Sequence, residues 1–234
     1  MFSTGLVLAG QAVPASAAPP PYRGVTVHSL SNEQVGDMDR TLDSAKALGA
    51  NVVRVDVWWS VLEQEGKGKY TRWYLDRFDR FVKGAHARGM KVLPVLLWTP
   101  CWASSAPKQM LAGCSSGTQK YPPKSASDYG DFARFVATRY GSRLAGIEVW
   151  NEPNLLGFLS GSDPARSYTK LVKAAYSTVK SVNRSLTVVA GGLSGADRSF
   201  LEALYRRGMR GHYDVLSIHP YNGANAPDAK LGNP

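Results

Sequence analysis

The sequence is poor in cysteine and has no long apolar segment. It contains two cysteines and four scattered histidines in 234 residues, and the C-x-x-C and H-E-x-x-H spacings of zinc sites do not occur. No apolar stretch approaches the length of a membrane-spanning helix. These absences argue against a disulfide-rich scaffold, a zinc enzyme and a membrane-spanning protein. We predict neither a metal nor a cofactor.

Basic residues are in excess, but they form no long run. The formal net charge is +10, a value that could favour acidic partners such as nucleic acid. The basic side chains are instead spaced as on the outer faces of helices, for example at Arg72, Arg77 and Arg80. We interpret the charge as a solvated surface and predict no nucleic-acid partner.

The N-terminal residues 1–18 have the pattern of a secretory leader. An apolar core, Leu6-Val7-Leu8-Ala9-Gly10, precedes small residues suited to cleavage, Ala15-Ser16-Ala17. The first basic residue is Arg23, so the basic start of such a leader is missing and we expect the natural chain to begin upstream of Met1. We predict a secreted protein whose mature domain covers residues 19–234. A disordered Ala/Pro tail is the alternative.

Cys101 and Cys114 are expected to form a disulfide if the protein is exported. Closing a loop of this length would stabilise the fold by about 3 kcal/mol. Two free buried thiols are the alternative, because the sequence alone carries no geometry.

From Arg23 onward, short β-branched runs alternate with longer segments of helical period, as in parallel strands joined by helices. The predicted strands are 24–28, 52–58, 92–98, 147–150, 187–191 and 215–219. One predicted apolar helix face contains Tyr74, Phe78, Phe81, Val82 and Ala85, and a second contains Tyr168, Leu171, Val172, Ala175, Val179 and Val182. Gly49 and Gly89 fit helix C-termini.

One face of the predicted strands is aliphatic, and the other becomes polar towards the C-terminal end. In 52–58, Val53, Val55 and Val57 would face the helices, whereas Arg54 and Asp56 face the opposite side. An open sheet covered by helices on both faces is apolar on both. A (β/α)8 TIM barrel instead collects polar residues at the C-terminal mouth of its strands, so we predict a TIM barrel.

The barrel has fewer predicted strands than its fold requires. A TIM barrel has eight strands and about 250 residues, whereas six strands are predicted here. We therefore expect a chain truncated at its C-terminus, with about six βα units present and the last two missing. Such a chain is expected to be poorly stable and to have negligible turnover by itself, because truncation exposes sheet edges.

Glu152 follows the fourth predicted strand in the run Trp150-Asn151-Glu152-Pro153-Asn154. Counting in twos from Glu148 places Trp150 and Glu152 on the same inward face, and Pro153 ends the strand. A carboxylic acid at a barrel mouth can protonate a departing sugar oxygen, and Asn151 could bond the sugar 2-hydroxyl. The residues therefore indicate cleavage of a glycosidic bond.

At this point the sequence resembles the clan A glycoside hydrolases, which include families 5, 39 and 51 with cellulase-like and β-xylosidase-like members. The resemblance covers about residues 23–221. It rests on four segments: Val53-Arg54-Val55-Asp56, Trp98-Thr99-Pro100, Trp150-Asn151-Glu152-Pro153-Asn154 and Ser217-Ile218-His219-Pro220-Tyr221.

The resemblance implies a retaining hydrolase of a β-linked polysaccharide or oligosaccharide. Glu152 would be the general acid/base and Asn151 would contact the substrate. Arg54, His219 and Tyr221 would position the nucleophile or the sugar. The nucleophile of the clan is a glutamate on the seventh strand, and no glutamate follows Glu202 in this sequence.

Other carboxylates near the predicted mouth have structural explanations. Glu148 and Asp56 face the barrel interior, where we expect each to be paired with a group such as Arg54. Glu63 and Glu65 lie in the loop after the second strand, which could reach substrate but is expected to be solvated.

Aromatic residues cluster at strand ends and in the following loops, namely Trp58, Trp59, Trp98, Trp102 and Tyr221. At least one of them is expected to pack against a sugar ring, and Trp58 and Trp98 are the main candidates beside Tyr221. Core packing is the alternative for each.

Two other functions fit parts of the sequence. Gly192-Leu193-Ser194-Gly195-Ala196 is similar to a nucleophile elbow, with Asp214 and His219 following in the order of a serine hydrolase. Asp214 and His219 would lie at opposite ends of one strand, which disfavours a triad. The second alternative is a carbohydrate-binding protein without catalysis on the same scaffold. The sequence gives no prediction of the oligomeric state.

Overall fold

The computed structural model describes residues 21–30 and 35–221. The predicted leader, residues 1–18, lies outside the described residues. The strands are β1 (Gly24–Val27), β2 (Val52–Trp58), β3 (Lys91–Leu97), β4 (Ile147–Val149), β5 (Val188–Ser194) and β6 (Val215–His219). The α-helices are α1 (Val35–Ala47), α2 (Trp59–Leu62), α3 (Arg72–Ala87), α4 (Lys108–Leu111), α5 (Ala126–Tyr140), α6 (Pro164–Val182) and α7 (Arg198–Arg206).

The six strands form one parallel sheet whose order is the order of the chain. At least one helix lies between each strand and the next. Although β1 and β6 are the two edges of the sheet, both contribute residues to the same cleft. The sheet is therefore curled, and the predicted architecture of six βα units of a (β/α)8 barrel is confirmed.

The two faces of β2 differ as predicted. Val53, Val55 and Val57 are fully buried in the hydrophobic core, whereas Arg54 and Asp56 line the cleft on the other face. All five residues of the predicted apolar face of α3 are also buried. Burial of this aliphatic layer between sheet and helices is the main stabilising term of the fold, at roughly 25 cal/mol per Å² of apolar surface.

Several details differ from the predictions. Val182, the last residue of α6, is 38% exposed, so the predicted apolar face of this helix does not extend to its end. β5 continues beyond Gly191 to Ser194, since it remains paired with β6 through an irregularity between Gly191 and Leu193. Gly49 and Gly89 adopt positive φ, as predicted.

The loop after β3 is closed by the predicted disulfide between Cys101 and Cys114, which is confirmed. Next to this loop, Trp102 Nε1 donates to the carbonyl oxygen of Glu63, at 2.7 Å. Glu63 is 4% exposed, and its carboxylate accepts from Trp59 Nε1 and from the backbone N–H of Gly68. The expectation of a solvated loop is therefore wrong for Glu63, which anchors the loop after β2 to the core.

Among the described residues, no helix is long and apolar enough to span a membrane. Within the same ranges, no group of three or more His, Cys, Asp or Glu side chains is arranged to hold a metal ion.

Candidate active site

A cleft of about 650 Å³ lies within the curl of the sheet, towards the C-terminal ends of the strands. This is the end of the strands where the active sites of barrel enzymes are found. The structure brings together five of the residues selected from the sequence, because Glu152, Asn151, Arg54, His219 and Tyr221 all line the cleft.

The backbone of Glu152 adopts an unusual conformation that a hydrogen bond to β5 fixes. Its side chain is buried, with 6% of the residue exposed, and its φ of +44° is left-handed. A non-glycine residue adopts this conformation rarely, at a cost of about 1–3 kcal/mol. The N–H of Glu152 donates to the carbonyl oxygen of Gly192, at 3.1 Å. Strain of this kind persists only where neighbours fix it, and it is concentrated at functional sites.

Counting in twos beyond β4 gives a wrong position for Trp150. β4 ends at Val149, and Trp150 follows with a φ of +64°. Its ring is fully buried in the hydrophobic core instead of lining the cleft, and its Nε1 donates to the carbonyl oxygen of Phe158, at 3.1 Å. The strict alternation of side chains belongs to extended strands, so it does not apply where φ is positive.

His219 and Tyr221 converge on one oxygen of Glu152. His219 Nδ1 lies 2.9 Å from Glu152 Oε1, and the Tyr221 hydroxyl donates to the same oxygen at 3.0 Å. Partial burial of its hydroxyl, together with the carboxylate of Glu152, raises the pKa of Tyr221, although the residue is 68% exposed. No described residue hydrogen-bonds to Oε2, which is left for a ligand in the cleft.

Deeper in the barrel, Glu148, Arg54 and Asn151 form a fixed chain. Arg54 donates to both oxygens of Glu148, at 2.7 and 3.2 Å, and its Nη2 also donates to Asn151 Oδ1, at 2.8 Å. The guanidinium group therefore fixes the orientation of the amide, because only the oxygen of Asn151 can accept from it. The amide NH2 of Asn151 donates to no described residue and is left to bind a ligand.

Gly191 and Gly192 allow β5 to pass closely behind these residues. A Cβ atom at Gly191 would collide with the carbonyl oxygen of Ser217, and one at Gly192 would lie 3.0 Å from Glu148 Oε1 and 3.5 Å from His219 Nε2. Gly192 also has a φ of +59°. Both the conformation and the space at this position require glycine.

The loop after Glu152 is tied to the end of β5. Asn154 Nδ2 donates to the carbonyl oxygen of Ser194 at 3.0 Å, and the N–H of Ser194 donates back to Asn154 Oδ1 at 3.1 Å. Asn154 also donates to Asp197 Oδ2, at 3.3 Å, and Asp197 caps the N-terminus of α7. These contacts fix the segment that carries Glu152.

The two tryptophans predicted to contact substrate do not line the cleft. Phe158 lines it instead, with Trp98 stacked behind at 5.7 Å between ring centroids. Trp58 is partly buried, and its backbone N–H donates to the Tyr74 hydroxyl at 2.9 Å. The substrate contacts of Trp58 and Trp98 stay predictions. Phe158 could not be selected beforehand, because loop residues have no periodicity that gives their direction.

A second ionisable pair lies on the wall formed by β1 and β2. His28 Nδ1 is 3.5 Å from Asp56 Oδ2, and both side chains line the cleft. Burial raises the pKa of Asp56, and this effect outweighs the attraction of Arg54 and His28. The partner that the structure gives to Asp56 is therefore His28, another residue of the cleft.

The structure does not bring Asp214 and His219 together as a serine hydrolase triad would require. Asp214 Oδ2 lies 2.7 Å from Lys180 Nζ and accepts from the N–H of Val188, also at 2.7 Å. His219 is at the other end of β6, bonded to Glu152. Because a triad needs the aspartate against the histidine ring, Ser194 is not part of one.

The chain matches a protein-family model over residues 13–230. That family is described as cellulase, glycosyl hydrolase family 5. The chain belongs to this family. The resemblance to the clan A glycoside hydrolases, inferred from the segments around Arg54, Glu152 and His219, is thereby confirmed.

Solved structures of glycosidases are similar to this family 5 chain. A family 39 glycoside hydrolase from Bacteroides cellulosilyticus WH2 is 26% identical, with a TM-score of 0.64 over 90% of this chain and 41% of its own. A monomeric β-xylosidase from Caulobacter crescentus CB15 has the same fold, at 23% identity and a TM-score of 0.57, over 83% of this chain and 41% of its own.

A curated relative, the chloroplastic β-amylase 1 of Oryza sativa subsp. japonica, is 33% identical over 61 residues, which is 26% of this chain and 11% of the rice protein. The chain thus spans less than half the length of each of these three proteins.

Proposed function

We propose that the protein is a retaining O-glycoside hydrolase of β-linked polysaccharides or oligosaccharides, with Glu152 as the general acid/base. The observation that carries this proposal is the environment of Glu152. One carboxyl oxygen is held by His219 and Tyr221, and the other is open to the cleft. A group with this role has to give a proton to the leaving oxygen and later take one from water.

The neighbouring residues have positioning roles in this proposal. Asn151 presents its NH2 group to the sugar 2-hydroxyl, a contact that strengthens in the transition state. Arg54 fixes that amide and is itself fixed by Glu148. Phe158 offers an aromatic face to the apolar side of a sugar ring, since its ring lines the cleft.

Double displacement requires a second carboxylate about 5–5.5 Å from the first as the nucleophile. Among the described residues of the cleft, Glu148 is occupied by Arg54 and Asp56 is paired with His28. We therefore assign the nucleophile to a glutamate on the seventh strand of the barrel, the strand that would pair with β6.

The alternative function is carbohydrate binding without catalysis. It is favoured by one specific observation, namely that the other two carboxylates of the described cleft already have partners, Glu148 with Arg54 and Asp56 with His28. A single carboxylate can orient a sugar but cannot by itself complete double displacement.

Rescue by a small anion separates the two functions. With purified chain 1–234 and 4-nitrophenyl β-glycosides, we expect negligible release of nitrophenol alone and measurable release with added azide or formate. The anion can attack the anomeric carbon as the nitrophenolate leaves, a role for which the described cleft offers no unpaired carboxylate besides Glu152. Glu152→Gln should lower the rescued rate by about 10²–10⁴-fold, the usual contribution of general acid catalysis.

Glu202→Gln on the exposed face of α7 is the control and should keep the rescued rate, because Glu202 pairs with the surface residue Arg198. Equal rates for the two variants would refute the role of Glu152. Sugar binding with no anion-dependent cleavage would favour the non-catalytic alternative.

A further inference from the structure

We infer that the outer face of α6 carries a second binding site, separate from the cleft, which holds an acidic polysaccharide by its carboxylate or sulfate groups. The site lies in a groove between α6 and the C-terminal end of α7. It takes no part in the chemistry proposed for Glu152 and would instead attach the protein to a polyanionic polymer.

The cations of this site lie on one face of α6. Arg166, Lys170, Lys173 and Lys180 follow one another at intervals of four, three and seven residues. Side chains at these intervals project from the same face of a helix. At 1.5 Å per residue, the four positions span about 21 Å along the axis. A row of this length is suited to a linear ligand with repeated negative charges.

The same face lines two concavities. The wall of the first, which has a volume of about 460 Å³, consists of Asp163, Arg166, Thr169, Lys170, Lys173 and Arg207. Four of these six residues are cations and one is an anion. The second concavity, of about 790 Å³, lies further along α6 and is lined by Lys180, Arg184 and His212, among others. The cations therefore surround a space that a ligand can occupy.

Most cations of the first concavity have no partner within the protein. In the part of the chain that the structure describes, Arg166, Lys170 and Lys173 form no salt bridge with a carboxylate. Asp163 accepts from the N–H of Arg166 as the cap of α6 and binds Arg207 Nη2, at 2.9 Å in each case. These two contacts lower the pKa of Asp163. The single carboxylate of the wall is therefore already occupied.

Basic residues on other helices are paired differently. Arg88, at the end of α3, lies between the carboxylates of Asp39 and Asp43, at 3.4 and 2.7 Å. On α6, by contrast, Arg166 and Lys170 are like charges four residues apart, an arrangement that destabilises a helix. A ligand of opposite charge would remove this repulsion, which a surface without a ligand retains.

The lining favours a polysaccharide over a membrane or a nucleic acid. The first concavity has no apolar or aromatic side chain, so it offers neither groups that insert into a lipid surface nor platforms on which unpaired bases stack. Because α6 packs between α5 and α7, it cannot enter the major groove of a duplex as a recognition helix does. For a member of a cellulase family, an acidic polysaccharide is the polyanion that fits these features.

The test is calorimetric binding of polysaccharides to purified chain 1–234 in 0.15 M salt. Polygalacturonate supplies carboxylates, dextran sulfate supplies sulfates, and unmodified dextran is the neutral reference. We expect at least one polyanion to bind, and to bind more weakly as salt is added, since salt screens exposed charges. The triple variant Arg166→Gln/Lys170→Gln/Lys173→Gln should bind about tenfold more weakly or less, because three exposed ionic contacts of about two- to fivefold each are lost.

Two further variants separate the site from the net charge. Lys69→Gln/Lys91→Gln/Lys124→Gln removes the same charge from three exposed positions elsewhere and should bind like the wild type, since charges more than about 8 Å from the ligand are screened in this salt. Asp163→Asn keeps a residue that can cap α6 and releases Arg207, so it should tighten binding by about two- to fivefold. Thermal unfolding verifies that each variant is folded.

Binding of either polyanion through Arg166, Lys170 and Lys173 supports the inference, and the comparison of the two polymers identifies the anionic group. The inference is overturned if neither polyanion binds more tightly than dextran, or if the two triple variants lose affinity equally. It is also overturned if duplex DNA or anionic phospholipid vesicles bind more tightly than both polymers through the same three residues. Polyanion binding without Glu152-dependent cleavage would keep this inference and remove the proposed function.

Discussion

Two carboxylates of the same segment, Glu148 and Glu152, are held in different ways. In the lower layer of the barrel, the Glu148 side chain is 1% exposed and both its oxygens accept from Arg54. At the mouth, Glu152 is bonded through one oxygen to a histidine and a phenol, and its other oxygen faces the cleft. The first arrangement occupies both oxygens with one cation, whereas the second leaves one oxygen without a hydrogen bond from a described residue. The two carboxylates are of the same residue type and lie on the same segment, so the difference between them comes from their partners.

The largest expected effect on stability comes from removing Arg54, the partner of Glu148 in the lower layer. Arg54→Met leaves Glu148 buried without its cation, so the free energy of unfolding should fall by about 3–5 kcal/mol. Chemical denaturation measures this value. Arg72→Met breaks an exposed ion pair with Asp76 and should cost about 0–1 kcal/mol. Equal losses in the two variants would show that the lower layer is not a buried ion pair.

The next largest effect on stability is expected at Gly192, which lies against Glu148 of the lower layer and His219 of the mouth. Gly192→Ala and Gly195→Ala both place alanine at positive φ, but a Cβ has nothing within 4 Å at Gly195 and lies 3.0 Å from Glu148 Oε1 at Gly192. Each backbone strain should cost about 1–2 kcal/mol. The Gly192 variant should lose more stability than the Gly195 variant and should also lose sugar binding. Identical unfolding curves would contradict the close packing of β5 behind the site.

At the mouth, removing one hydrogen bond should change stability little. Tyr221→Phe deletes a donor to Glu152 Oε1 and should lower the free energy of unfolding by no more than about 1 kcal/mol. The pKa of Tyr221 is raised above its ordinary 10.0. Its stabilising contribution is therefore complete below pH 10 and is lost as the pH rises through the folded value. The difference between wild type and variant should disappear in strongly alkaline solution, and a difference that persists there would contradict this assignment.

The smallest change in the free energy of unfolding is expected for Asp56→Asn. In contrast to the preceding variants, this one should not be destabilised. Because burial raises the pKa of Asp56 above 3.8, the wild type loses stability as the pH rises from 3.8 through the folded value. Asp56→Asn should therefore be as stable as the wild type at neutral pH or slightly more stable, and this advantage should vanish below pH 3.8. A clear destabilisation at neutral pH would show that Asp56 serves the fold.

The sequence predicted the fold and the position of most of the candidate residues in the cleft, because both depend on regular strands. Arg54 and His219 lie within β2 and β6, where the alternation of faces gives their direction. Glu152 was placed correctly at the mouth although the counting that led there fails at Trp150, which turns into the core at positive φ. The backbone of Glu152 is instead fixed by a hydrogen bond from its N–H to the carbonyl oxygen of Gly192. No local sequence pattern reveals this contact, because the two residues are in distant segments.

Other features depended on contacts that arise only when the chain folds. The extension of β5 beyond Gly191 depends on pairing with β6, and the burial of Glu63 depends on Trp59. The position of Phe158 depends on the ring of Trp98 behind it. The secretory leader and export stay predictions, because residues 1–18 lie outside the described part of the chain.

The central claim, that Glu152 supplies the proton to the leaving group, is tested most directly by varying that group. With formate present, the rates of Glu152→Gln are compared with wild type on 2,4-dinitrophenyl and 4-nitrophenyl β-glycosides of the same sugar. Dinitrophenolate leaves without a proton, so its rate should be nearly unchanged, whereas the rate for the more basic nitrophenolate should fall steeply. An equal reduction for both substrates would contradict the assignment of Glu152 as the general acid.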